Sequence, residues 1–238
     1  DMLDDAEVGA YMDKAAGSGG VALYNGDINL PLGALSKSSL KGSTVLRNAN
    51  YTEYSNDTVF TLNGKEIYAN MLPDTGAGNC WRWAQGIYKL VWDVHFDSEF
   101  VGTGTKGINM LRKLSDDERL LTPEHLKTFV HYAVPGATLR VSSCTSDCPE
   151  FENDGLSCGH KGHSLIVVGH NADGVFTMDS HSNSQHTRFY SWQGFCNAWA
   201  GYPYVKYIKW PGAKPLAADS ITLVAICTYD SDDDAMVS

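Results

Sequence analysis

Residues 162 to 180 constrain the fold more tightly than any other stretch. Two apolar runs of strand length, Gly162-His163-Ser164-Leu165-Ile166-Val167-Val168-Gly169-His170 and Val175-Phe176-Thr177-Met178-Asp179-Ser180, flank the turn sequence Asn171-Ala172-Asp173-Gly174. Runs of this kind around an Asn/Asp/Gly cluster predict a β-hairpin. Polar residues mark its outer ends, His163 opening the first strand and Asp179 closing the second. A turn centred on Asn171 sets these two directly opposite each other, where cross-strand side chains touch. A turn centred on Asp173-Gly174 moves Asp179 off His163. The sequence leaves both registers open.

A histidine beside a carboxylate is a base in search of a proton donor, and the candidate donor lies upstream. In Thr75-Gly76-Ala77-Gly78-Asn79-Cys80-Trp81-Arg82-Trp83-Ala84 a glycine-rich loop runs into a helix that Cys80 begins. Positions 80, 83, 84, 87, 88 and 91 fall on one stripe at helical spacing, which predicts the buried face. A thiol at a helix N-terminus sees the positive end of the helix dipole, and its pKa falls. The expected arrangement is Cys80 as nucleophile, His163 as base and Asp179 as the carboxylate that orients the ring. The alternative for Cys80 is an inert thiol in a core helix.

These residues carry a resemblance. Asn79-Cys80-Trp81 at a helix start, His163 opening an apolar strand, and an acid ending the next strand together resemble the papain-like superfamily of cysteine peptidases and amidases. Val134-Pro135-Gly136-Ala137-Thr138-Leu139-Arg140 before the histidine strand is similar to the bacterial cell-wall amidases of the CHAP type. The resemblance covers roughly residues 75 to 210. It implies an α+β, papain-like fold in which the nucleophile helix packs on an antiparallel sheet. It also implies hydrolysis of a peptide or amide bond through a thioester, with no cofactor and no metal. Papain-type enzymes place a glutamine before the cysteine to line the oxyanion hole, and this chain has Asp74 there; the only donor left to assign is the Cys80 backbone N–H. The transglutaminase-like family shares the Cys, His, Asp order and is the rival, with Leu165 standing where it has an aromatic residue. A third reading is an inactive binding module held by disulfides.

Composition narrows the partners. The 238 residues carry a net charge of −10, which argues against nucleic acid, since phosphate binding needs a basic face. No apolar run approaches membrane-spanning length. The expected partner is a polypeptide or a peptidoglycan peptide, and the chain is open to being part of a larger multidomain protein. Asp1-Met2-Leu3-Asp4-Asp5 does not resemble a signal peptide, so any leader is expected to have been removed. Six cysteines favour an extracellular or cell-surface setting. With Cys80 reserved, at least one disulfide is expected among Cys144, Cys148, Cys158, Cys196 and Cys227. Cys144, Cys148, Cys158 and His160 also keep zinc open, although their spacing is a poor zinc signature.

Three segments are expected: residues 1–70 as an N-terminal β-rich extension packed on the core, 71–229 as the catalytic domain, and 230–238 as an acidic tail. Within the first, a helix is read over Ala6–Ala16 and strands over Val21–Tyr24, Thr44–Leu46, Thr58–Leu62 and Glu66–Ala69, with Asn63-Gly64 as a tight turn. Ile108–Leu114 reads as a short helix. Thr122 and Pro123 are the N-cap and first residue of another, running to about Ala133. Ala137–Val141 reads as a strand and Ser180–His186 as a polar loop with solvated histidines. A strand at Arg188–Trp192, a helix at Trp192–Trp199 and strands at Tyr204–Trp210 and Ile221–Tyr229 complete the reading. The dense aromatics of 189–210 are expected in the core, some of them walling the cleft.

Overall fold

A computed structural model describes residues 46–76, 79–96, 107–148 and 161–218. The helix at Ala6–Ala16, the strands at Val21–Tyr24 and Ile221–Tyr229, and the acidic tail lie outside these residues. The fold is α+β, built on one antiparallel sheet. The strands are β1 (Leu46–Arg47), β2 (Tyr51–Tyr54), β5 (Ile108–Asn109), β6 (Thr138–Ser142), β7 (Gly162–His170), β8 (Gly174–His181), β9 (Ser184–Ser191) and β10 (Tyr204–Trp210). They lie in the order β1-β2-β9-β8-β7-β6-β10-β5. A separate hairpin joins β3 (Phe60–Leu62) to β4 (Lys65–Ile67), turning on Asn63 and Gly64 with φ of 50° and 74°. The helices are α1 (Cys80–Trp92), α2 (Pro123–Tyr132) and α3 (Trp192–Ala198).

The central strands are buried on both faces, which explains their near-continuous apolar runs. On one face Leu139, Val141, Leu165, Val167, Val175 and Tyr190 pack with Leu126, Phe129 and Val130 of α2 and Phe195 of α3. On the other, Ile166, Val168, Phe176, Met178 and Phe189 meet Trp83, Ala84, Ile87 and Val91 of α1 and the β3–β4 hairpin. Cys80, Trp83, Ala84, Ile87, Tyr88 and Val91 are the buried residues of α1, the stripe that helical spacing predicted. Thr122 caps α2, its Oγ1 accepting from the His125 N–H at 3.1 Å, with Pro123 at the first turn.

The β7–β8 register follows neither expected turn alone. The hairpin closes around Ala172-Asp173, where the Asn171 N–H donates to the Gly174 carbonyl. Near the turn His170 opposes Val175 and Gly169 opposes Phe176, but beyond it Val167 opposes Thr177 and Leu165 opposes Asp179. Val168 is therefore an extra residue, a β-bulge. Strand side chains alternate, so a one-residue shift exchanges the faces. Continued without the bulge, the near-turn register would put His163 and Asp179 on opposite faces of the sheet. The bulge puts them on the same one.

Two local expectations are corrected. Ile108–Leu114 is not a helix: Ile108 and Asn109 pair with Trp210 and Lys209. The Asn109 Oδ1 then accepts from the Leu111 N–H, so edge pairing and an asparagine turn outcompete helical propensity. Ser180–His186 is not a loop: Ser180 pairs with Gln185 and His181 with Ser184. A tight turn through Ser182 and Asn183, φ of 55° and 67°, joins them. Residues 181–184 are exposed, which is why this end is polar, and His181 is solvated as expected; His186 is not, because it is half-buried against Glu53. Residues 51–54 form a strand without a clear sequence signal and extend the main sheet beyond β9.

Candidate active site

The loop before α1 is tied in place by its own polar groups. Asn79 Nδ2 donates to the Thr75 carbonyl at 2.9 Å, and Thr75 Oγ1 donates to the Asn79 carbonyl at 2.9 Å. Asp74 Oδ1 accepts from the Gly76 N–H at 3.1 Å and from Ser180 Oγ at 2.8 Å. Asp74, in the neighbourhood where the resembled enzymes carry glutamine, thus anchors the loop before Cys80 to β8 beside Asp179. The anchor fixes where α1 begins, and α1 begins at Cys80.

The structure brings all three expected residues together. His163 is 2% exposed and Asp179 fully buried. The His163 Nε2–H donates to Asp179 Oδ2 at 2.8 Å, which leaves Nδ1 for the hydrogen bond with the Cys80 thiol. Burial pushes the Cys80 thiol up, but the His163 hydrogen bond and charge, the Ser164 backbone N–H and the Arg140 charge together bring it down to about 7. Burial pushes His163 down, and its hydrogen bonds to Asp179 and Cys80 overcome this and raise it to about 9. Asp179 would be raised by burial, yet the hydrogen bond and charge of His163 hold it below its ordinary value, helped by Arg188 and His186. Between the values of the thiol and the imidazole the pair is thiolate and imidazolium, the form that attacks carbonyl carbon.

Around this chain stand residues to which the sequence assigned no part in the site. Trp199 stacks on the His163 ring, centroids 4.3 Å apart and planes 14° off parallel, and so covers one face of the imidazole. His181, exposed as expected, stands edge-on to His163 at 5.1 Å. On β9 and β2, Arg188 and His186 both hold Glu53, at 3.1 and 2.6 Å. Arg140, on β6, donates from Nη1 to Ser164 Oγ at 2.7 Å. Its signal in the sequence is a charged residue inside a five-residue strand, every member of which is buried.

Of the cysteines, Cys196 is a free thiol, and burial pushes it up to about 11. Cys158 and Cys227 lie outside the described residues, as does His160. Among the described residues no three His, Cys, Asp or Glu side chains converge as a metal site would need. No helix among them is long and apolar enough to cross a membrane. Family models, curated proteins and solved structures were each compared with the chain, and none matches it.

Proposed function

We propose that the chain is a cysteine-dependent hydrolase of papain-like type that cleaves a peptide or amide bond. One observation carries the reading: a thiol on the first turn of a helix, hydrogen-bonded to a buried imidazole whose far nitrogen is held by a buried carboxylate. The Cys80 thiolate attacks the carbonyl carbon, forming a C–S bond and an oxyanion that the Cys80 backbone N–H faces. Collapse breaks the C–N bond, and the amine leaves with the proton from His163 Nδ1. Water then attacks the thioester, giving its proton to His163 Nδ1; the C–S bond breaks, and acid and thiol are restored. Asp179 holds the ring and its cation throughout. The reading places the protein outside the cell or at its surface, acting on a polypeptide or a peptidoglycan peptide.

The test is a panel of peptide and amide substrates, run with and without a primary amine acceptor. Cys80→Ala is expected to abolish turnover, His163→Ala to come close, and Asp179→Ala to leave partial activity, with strongly non-additive losses. Release of free acid supports hydrolysis; incorporation of the amine shifts the assignment to the transglutaminase-like rival. Wild-type turnover by Cys80→Ala on any substrate sinks the mechanism.

A further inference from the structure

We infer that Arg140 is a positioning residue of this site, a buried cation that sustains the Cys80 thiolate and sets its electrostatic balance. The inference rests on the reading of Cys80 as nucleophile. Arg140 is 4% exposed. A buried charge without a counter-charge is costly, so such a group is normally paired. Among the described residues the ion pairs are Lys65–Asp93, Arg119–Asp116, His163–Asp179, His186–Glu53 and Arg188–Glu53, and Arg140 is in none of them. Among the described residues its one side-chain partner is the neutral Ser164 hydroxyl, and its buried Nε finds no partner among them.

The register explains what the cation faces. Arg140 opposes Ser164 across β6 and β7. Ser164 shares its face of β7 with Ile166, which packs against α1. Arg140 and Ser164 therefore lie on the α1 side, at the end of β7 where Cys80 begins the helix. The Ser164 backbone N–H donates to the Cys80 sulfur, and its side chain fixes the guanidinium in the field of that sulfur. Gly162 leaves room for this placement: a Cβ there would lie 2.7 Å from Arg140 Nη2 and 2.9 Å from Cζ.

Counting charges shows what Arg140 adds. Among the described residues, the charged and titratable groups on the adjoining elements are Asp74 on the preceding loop, exposed Arg82 on α1, His163 on β7, and Asp179 and His181 on β8. Behind Asp179 stand His186 and Arg188 of β9, both on Glu53 of β2. Among the described residues Asp74 and Arg82 offset each other and Arg188 is matched by Glu53, so thiolate, imidazolium and Asp179 carboxylate leave one negative charge in a buried site. The Arg140 cation brings the group to neutrality. Without it, the thiolate would be the surplus anion and the first to take up a proton.

The experiment follows Cys80 ionisation as thiolate absorbance near 240 nm, taken against Cys80→Ala, and as the pH dependence of iodoacetamide inactivation. Arg140→Gln is expected to move the inflection up by about one pH unit and to slow alkylation about tenfold below it. Arg140→Lys, which keeps the charge, is expected to stay near wild type. An inflection unmoved in folded Arg140→Gln, or moved equally by Lys and Gln, overturns the inference. If Arg140→Gln does not fold, Ser164→Ala decides, since it frees the guanidinium and keeps the backbone N–H. A raised inflection there supports the inference and an unchanged one overturns it. Failure of the underlying reading looks different: wild-type Cys80 would then show no inflection below that of an ordinary thiol.

Discussion

Cys80 and His163 lose their protons in the reverse of the order that a thiol and an imidazole follow in water. Burial alone would keep the thiol protonated and the ring neutral. The hydrogen bonds that link Cys80, His163 and Asp179 outweigh it, putting the thiol at about 7 and the ring at about 9. Activity should therefore rise with pH through about 7, as the thiolate forms, and fall through about 9, as the imidazolium loses the proton it must give to the leaving amine. A profile of kcat/KM against pH on any substrate the protein turns over checks this. Asp179→Asn removes the charge that helps hold the imidazolium, so its alkaline limb should move to lower pH. An alkaline limb unchanged in Asp179→Asn would remove Asp179 from the mechanism.

At the scale of elements, what the sequence revealed is what local chemistry decides. Helix α2 is an example: Thr122 and Pro123 spell its start, and the cap forms as expected. Thr122→Ala should cost about 1 kcal/mol and lower the melting temperature by about 2–4 °C, with kcat/KM unchanged, because α2 packs against the sheet away from Cys80. A fall in kcat/KM larger than the loss of folded protein would show that α2 reaches the site. The stripe of α1 and the turn at Asn63-Gly64 were legible for the same reason, since spacing and turn chemistry act within a few residues. The bulge at Val168 was not, because nothing in Val167-Val168-Gly169 marks which residue the partner strand skips. It nonetheless decides whether Asp179 faces His163. Strand β2 was hidden likewise, Tyr51–Tyr54 being a strand through its pairing with β9 and β1. Arg140 gave a signal, a charge within an apolar strand, but its meaning depends on Ser164 and Cys80, which lie far along the chain.

At the scale of the molecule, the Cys80–His163 pair separates the pH dependence of activity from that of stability. Stability varies with pH only where folded and unfolded chains hold different numbers of protons. In the unfolded chain the imidazole loses its proton near 6.5 and the thiol near 9.0; in the folded chain the thiol goes at about 7 and the ring at about 9. Between about 7 and 9 each state holds one proton on the pair, on sulfur when unfolded and on nitrogen when folded. The pair therefore adds almost no slope to the stability curve across the range where the proposed mechanism places its activity. Cys80→Ala breaks this balance. What remains is His163, lowered by burial and raised by the hydrogen bond and charge of Asp179, which are expected to keep it above its unfolded value. A base raised above its unfolded value contributes stability that is fully present below about 6.5 and is lost as pH climbs through the folded value. Urea midpoints of wild type and Cys80→Ala, measured from pH 6 to pH 9, should therefore diverge, the variant losing ground as pH rises. Groups that titrate elsewhere in the chain are common to both proteins and drop out of the difference. Parallel curves would mean that Cys80 and His163 do not share a proton in the folded protein.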